Sequence, residues 1–107
     1  MDMVTVHINQ LMQLCLDRKA ENLFLYPGQP PRAWIDGALQ ELSARKLEQA
    51  ECEVMMKTIT PSAHQRQLAA DGGTEFEFPF GDRARFSASV FYHEGRTSID
   101  LRLVFRR

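Results

Sequence analysis

Six arginines crowd the C-terminal part of this chain: Arg83, Arg85, Arg96, Arg102, Arg106 and Arg107. In the same stretch only Glu94 and Asp100 oppose them. A guanidinium is planar, permanently charged and carries a fork of donors, which suits bidentate recognition of phosphate. Arg85 and Arg102 each fall on the polar side of an alternating segment. If the two segments pair, both side chains project from one face. The plainer account of the same residues is a solvated face, with surface ion pairs worth under about 1 kcal/mol each.

Other chemistry finds little support. The phosphate cradle Gly-x-x-x-x-Gly-Lys-Ser/Thr is absent, Gly72, Gly73 and Gly81 read as turn residues, and Lys57-Thr58 sits mid-helix without glycines. His7, His64 and His93 lack a second His or Cys at ligand spacing, so no metal site is expected, and His64 reads as a surface residue. Ser87 and Ser89 have no Gly-x-Ser-x-Gly elbow and read as hydroxyls on a solvated strand face. Cys15 and Cys52 read as small hydrophobes on helix faces, with no disulfide or zinc pattern. Aromatics among arginines on a sheet could stack single-stranded nucleic acid. Yet Phe86 falls on the face that helices should cover, and a net charge of -1 offers no bulk attraction, so no nucleic-acid partner is expected.

The elements that must position the arginines follow from periodicity. Val4, Ile8, Leu11, Met12 and Cys15 recur at helical spacing and predict a helix over 4–19, its last turn carrying Arg18 and Lys19. Asn22–Tyr26 reads as a strand ended by Pro27-Gly28-Gln29-Pro30-Pro31. Ala33-Trp34-Ile35 resumes a strand, Asp36-Gly37 turns it, and Ala38–Leu42 returns. A helix is predicted from Arg45 to about Lys57, capped by Ser43, with Leu47, Ala50, Val54 and Thr58 on its apolar side beside Met55. Thr60 caps a second helix with Pro61 in its first position, and Asp71-Gly72-Gly73 stops it. Phe76, Phe78 and Phe80, then Ala84–Tyr92, then Thr97–Phe105 alternate as a three-stranded antiparallel meander, apolar on one face and mostly polar on the other. The order implies an α+β fold with helices on the apolar face of a mainly antiparallel sheet.

With 107 residues, 44% hydrophobic and 25% charged, the chain reads as one folded domain over 1–107. No run of about 18 apolar residues exists to span a bilayer. Met1-Asp2-Met3 offers neither a basic leader nor an apolar segment, so the cytoplasm is the expected compartment. The end on a strand at Arg106-Arg107 fits a fragment or a domain cut at its boundary.

In order and spacing these motifs resemble the N-terminal domain of type IV pilus retraction ATPases, the PilT/PilU group of the secretion ATPase superfamily. The residues that carry the resemblance are Ala20-Glu21-Asn22-Leu23-Phe24, Pro27-Gly28-Gln29-Pro30-Pro31, Trp34-Ile35-Asp36-Gly37, Glu75-Phe76-Glu77-Phe78, Gly81–Ser87 and Leu101-Arg102. They span nearly the whole chain. The resemblance implies a PAS-like α+β fold preceding a RecA-like ATPase core, absent here, with which it builds hexameric rings that act on an inner-membrane pilus or secretion platform. ATP and Mg belong to that core. Arg85 matches the first arginine of the family's Arg-Phe-Arg, and Arg102 its closing Leu-Arg. The resemblance implies that they approach nucleotide held by a neighbouring subunit, as an arginine finger does.

The second arginine of Arg-Phe-Arg is Ser87 here, the family's Ser-Asp-Leu-His is Glu21-Asn22-Leu23-Phe24, and its hairpin arginine is Trp34. These departures mark a diverged member. The expected function is that of a non-catalytic ring module that transmits nucleotide state, monomeric or weakly dimeric when isolated. The alternative is a stand-alone PAS-like regulatory or ligand-binding protein. A small enzyme is disfavoured by the missing acid/base and nucleophile sets.

Overall fold

The computed structural model of the chain describes residues 7–82 and 84–105. Val4, Arg83, Arg106 and Arg107 lie outside the described residues, as does the Phe105 side chain. In chain order the elements are α1 (Ile8–Asp17), β1 (Asn22–Leu25), β2 (Arg32–Ile35), β3 (Ala38–Glu41), α2 (Gln49–Ile59), α3 (Ser62–Asp71), β4 (Gly73–Phe80), β5 (Ala84–His93) and β6 (Arg96–Phe105). One six-stranded sheet runs β3-β2-β1-β6-β5-β4, antiparallel at every pairing. The expected meander is its β4–β6 half. Strand β1 completes the sheet by pairing with β2 on one side and β6 on the other, with Leu23 opposite Leu101 and Asn22 opposite Arg102.

Alternation sorts the sheet into two faces. Leu23, Leu25, Ala33, Ile35, Ala84, Phe86, Ala88, Val90, Ile99, Leu101 and Leu103 are buried together with Ile8, Met12 and Cys15 of α1, Cys52, Met55 and Met56 of α2, and Leu68 of α3. Among the described residues helices therefore cover one face only, and the α+β, PAS-like arrangement expected from the sequence is the observed one. At the edge, β3 is exposed along its whole length. No helix among the described residues is long and apolar enough to cross a membrane.

The helix ends differ from the sequence reading, each for a local reason. Helix α1 stops at Asp17, before Arg18 and Lys19. Lys19 takes a left-handed φ of 56°. The Lys19 and Ala20 amides donate back to Leu16 and Cys15, the two bonds of a Schellman stop. Helix α2 starts at Gln49, not Arg45. Its cap is Glu48, whose reciprocal box with Glu51 satisfies two backbone donors, while Ser43 Oγ accepts instead from the Arg45 amide at 3.2 Å. Arg45 also pairs with Glu51 through both guanidinium nitrogens.

The later start shifts the helical phase. Cys52, Met55 and Met56 face the core, and Val54 is 55% exposed. Leu47 is buried from the loop before the helix, where its backbone exchanges hydrogen bonds with Gly28 and Gln29. Thr60 ends α2, its amide donating back to Met56, and it does not cap α3, since its buried hydroxyl has no hydrogen-bond partner among the described residues. Pro61 then occupies the cap of α3.

Both cysteines are buried as expected. Burial pushes the Cys15 thiol up from 9.0 to about 11 and Cys52 up from 9.0 to about 12. Neither is a reactive thiolate at neutral pH. A raised folded value leaves stability fully present below the unfolded pKa of 9.0 and erodes it as pH rises toward 11–12. A thiol reagent at pH 7.5 is expected to label neither cysteine in the native chain and both in urea. Urea midpoints are expected to fall between pH 9 and pH 11.

Candidate functional site

The uncovered face of the sheet carries the candidate site. Register arranges its side chains in rows across the strands. One row reads Leu39, Trp34, Asn22, Arg102, Ser87 and Glu77 from β3 to β4. The next reads Glu41, Arg32, Phe24, Asp100, Ser89 and Glu75. Arg85 lies in a third row, opposite Val104 and Pro79.

Arg85 and Arg102 are thus diagonal neighbours on the same face, as the alternation suggested, but their surroundings differ. Arg85 Nε donates to Glu77 Oε1 at 3.4 Å, with both side chains well exposed. Arg102 is exposed between Asn22 and Ser87 and makes no ion pair among the described residues. A shallow depression of about 340 Å³ runs beside it, lined by Asn22, Ser87, Ser89, Asp100 and Arg102 among others. Its donors are a guanidinium fork, an amide and two hydroxyls. The same depression also carries the carboxylates of Glu75 and Asp100, so the Arg102 guanidinium stands among donors and two acidic groups.

Sequence reading missed a second cluster beside this one. Asn22–Tyr26 looked like a uniformly apolar run, yet only Leu23 and Leu25 enter the core, and Phe24 and Tyr26 look outward. The Tyr26 hydroxyl donates to Asp100 Oδ1. Its ring packs at 6.1 Å centroid distance against both Phe24 and Phe91, and the Arg32 guanidinium carbon sits 5.5 Å from its centroid. Burial raises the Asp100 carboxyl above its ordinary value, against the Tyr26 hydrogen bond and the Arg32 charge, which both lower it. Burial and Asp100 push the Tyr26 hydroxyl upward. The available signal was the strict alternation, which places Asn22, Phe24 and Tyr26 on one side whatever their polarity.

The histidines sit on separate elements. His7 precedes α1, and His93 is exposed at the end of β5. His64 is not the surface residue expected. Its Nδ1 lies 2.8 Å from Thr74 Oγ1, and its ring packs on Phe76. Since the Thr74 hydroxyl donates to Gln67 Oε1 at 2.6 Å, it accepts from His64, which places a proton on Nδ1. The trio ties α3 to β4. Ser87 and Ser89 stand on the open face, as read.

No family model matches the sequence, and no curated protein does. Among solved structures, the crystal structure of the pilus retraction motor PilT with bound ADP matches over 91% of this chain, at 25% identity and a TM-score of 0.84. The chain has the fold of the N-terminal domain of PilT/DotB-type secretion ATPases. The ATPase DotB of Legionella pneumophila matches 98% of the chain at 18% identity and a TM-score of 0.74. DotB of Yersinia pseudotuberculosis matches 98% at 20% identity and a TM-score of 0.63. The chain spans 29%, 31% and 32% of these three proteins, so it corresponds to one part of each. In this fold, Ser87 stands directly opposite Arg102 across β5 and β6.

Proposed function

We propose that the chain serves as the non-catalytic N-terminal domain of a PilT/DotB-like type IV pilus or secretion motor. It docks against the RecA-like ATPase core of its own or a neighbouring subunit in a hexameric cytoplasmic ring and couples that contact to nucleotide state. The observation that carries this reading is the match to PilT, extensive over this chain but confined to 29% of the motor. The open sheet face, with Arg102 and Arg85 on it, is the docking surface in this reading, and both residues approach nucleotide held by the neighbour's core. ATP and Mg are bound by that core, and the platform in the inner membrane is reached through it.

Division of labour of this kind predicts that the chain alone hydrolyses no ATP above buffer background. Phosphate release by the purified chain, with Mg and ATP at millimolar concentration, checks this. Turnover that follows the folded chain through purification and disappears on unfolding would refute the proposal.

A further inference from the structure

The two edges of the sheet are guarded unequally. Strand β4 carries Glu75, Glu77 and Pro79, the charges and missing amide that keep an edge from pairing with another strand. Strand β3, at the opposite edge, reads Ala38-Leu39-Gln40-Glu41, with no proline, no lysine and one carboxylate at its end. All four residues are exposed, so no helix among the described residues screens this edge.

The hairpin fixes which backbone groups β3 offers. Asp36 and Gly37 take φ of 52° and 78°, the two left-handed positions of a type I′ turn. That turn makes Ile35 and Ala38 a hydrogen-bonded pair, and at the far end the Leu42 amide donates to the Pro31 carbonyl at 2.8 Å. Bonded and non-bonded pairs alternate along an antiparallel ladder. Ala38, Gln40 and Leu42 therefore direct their backbone groups to β2, and Leu39 and Glu41 turn theirs away from the sheet. Leu39 also presents its side chain on the open face beside Trp34, the two being 46% and 37% exposed.

A second copy of the chain, related by a two-fold axis, can meet these groups in three registers. Centred on Gln40, the pairing sets each Leu39 against the partner's Glu41. Centred on Glu41, it sets two carboxylates opposite one another, which is unfavourable. Centred on Leu39, the two leucines exchange both backbone hydrogen bonds. The row across the seam then reads Trp34, Leu39, the partner's Leu39 and the partner's Trp34, apolar throughout. Glu41 falls opposite the partner's Gly37, which has no side chain to oppose it. Pairing of β3 with the partner's β4 would instead confront Glu75, Glu77 and Pro79.

We infer that two copies of this chain pair through β3, antiparallel and centred on Leu39, so that their sheets become one. The contact needs neither nucleotide nor an ATPase core, and it stands apart from the ring assignment. Two four-residue strands bury far less than the ~1,200 Å² of a standard complex, so the dimer is weak, half-associated at about 0.1–1 mM.

Sedimentation equilibrium of the chain up to about 1 mM, the top of that range, is expected to show a monomer–dimer equilibrium. Over the same range the Leu39 amide is expected to gain protection from hydrogen exchange, while the Gln40 amide, already bonded to β2, changes little. Leu39→Lys places two ammonium groups at the axis. It is expected to weaken the dimer at least ten-fold and to leave the urea midpoint unchanged, since the position is exposed. Cross-linking reads the register, because Cys15 and Cys52 are buried and stay silent. Leu39→Cys is expected to form an intermolecular disulfide under mild oxidation, since Cα atoms of a directly opposed bonded pair lie about 5.5 Å apart. Gln40→Cys and Glu41→Cys, opposite the partner's Ala38 and the partner's Gly37, are expected to form it several-fold more slowly. Four results would overturn the inference: a monomer at about 1 mM, a dimer indifferent to Leu39→Lys, protection that maps to β4 or to the Arg102 row, or cross-linking as fast at positions 40 or 41 as at 39.

Discussion

Replacing Phe86 by alanine is expected to remove a third or more of the stability of this domain. Phe86 sits in the middle of β5, 1% exposed, stacked on Phe78 at 5.8 Å and meeting Phe80 edge-on at 5.6 Å. Leu103 is its partner on the other side, across β6. Truncation discards the transfer energy of a whole ring. It also opens a cavity between three strands whose pairings hold the walls apart, so the site cannot collapse to fill it. Large-to-small changes of this kind cost about 3–5 kcal/mol. A domain of this size holds only about 5–15 kcal/mol in total. The urea midpoint should fall by a third or more with an unchanged slope, and the melting temperature by more than about 10 °C. Phe86→Leu, which keeps most of the volume, should lose well under half as much. Phe78→Ala should fall between them, because β4 is an edge strand and Phe78 is only partly buried. A Phe86→Ala variant that loses less than about 1 kcal/mol would show that the aromatic stack is not what joins β4 to the rest of the core.

That stack was legible in the sequence, and the reason is physical. Within each of the strands β4, β5 and β6 the period is two, and the inward positions are apolar apart from Thr74 and Thr97, whereas their outward neighbours are mostly charged, hydroxylated or proline. A slip of one residue would drive Glu77, Arg85 or Arg102 into the core, so register and face are fixed together. Helix α2 was less legible because Leu47, the first apolar residue of its pattern, belongs to the preceding loop. Counting from it sets the phase wrongly and turns Val54 inward, whereas the cap formed by Glu48 and Glu51 starts the helix later and turns Cys52 and Met56 inward instead. His64 was misread for a related reason. Its partner Thr74 lies across the α3–β4 turn, and no local periodicity reports that contact. The outward cluster of Phe24, Tyr26, Trp34 and Leu39 was hidden in the same way. Four apolar residues look like core until β1 is known to lie between β2 and β6, a pairing of residues some 75 positions apart in the chain. What the sequence settles locally is period and turn chemistry, and what it leaves open is which strand lies beside which.

The same register separates the two arginines that the family resemblance singled out, and it predicts an asymmetry between them. In a motor that carries both this domain and its ATPase core, Arg102→Ala should lower ring-dependent hydrolysis at least ten-fold, and Arg85→Ala by a few-fold at most. Arg102 is exposed, free of ion pairs among the described residues, and flanked across the sheet by Asn22 and Ser87, which can share an incoming anion. Arg85 is partly engaged by Glu77, a contact weak enough to break but one that opposes recruitment. An arginine that reaches a transferring phosphoryl group contributes about 10³–10⁵ in rate, so a ten-fold loss asks little of Arg102 even as a secondary contact.

Neither change should move the urea midpoint by more than about 0.5 kcal/mol equivalent, because both side chains are on the surface and make few contacts. Arg102→Lys should recover part of the rate, through charge without the fork. Ser87→Arg supplies the guanidinium that this chain lacks, directly opposite Arg102. Like charges in that position repel, so the isolated domain should lose up to about 1 kcal/mol at low salt and regain it as salt screens the pair. Bound between two subunits, the same two arginines would share one phosphate, and the repulsion would become attraction to the ligand. Hydrolysis that rises with Ser87→Arg while the isolated domain weakens would identify this face as the nucleotide-facing surface. Hydrolysis indifferent to Arg102→Ala would place the coupling elsewhere.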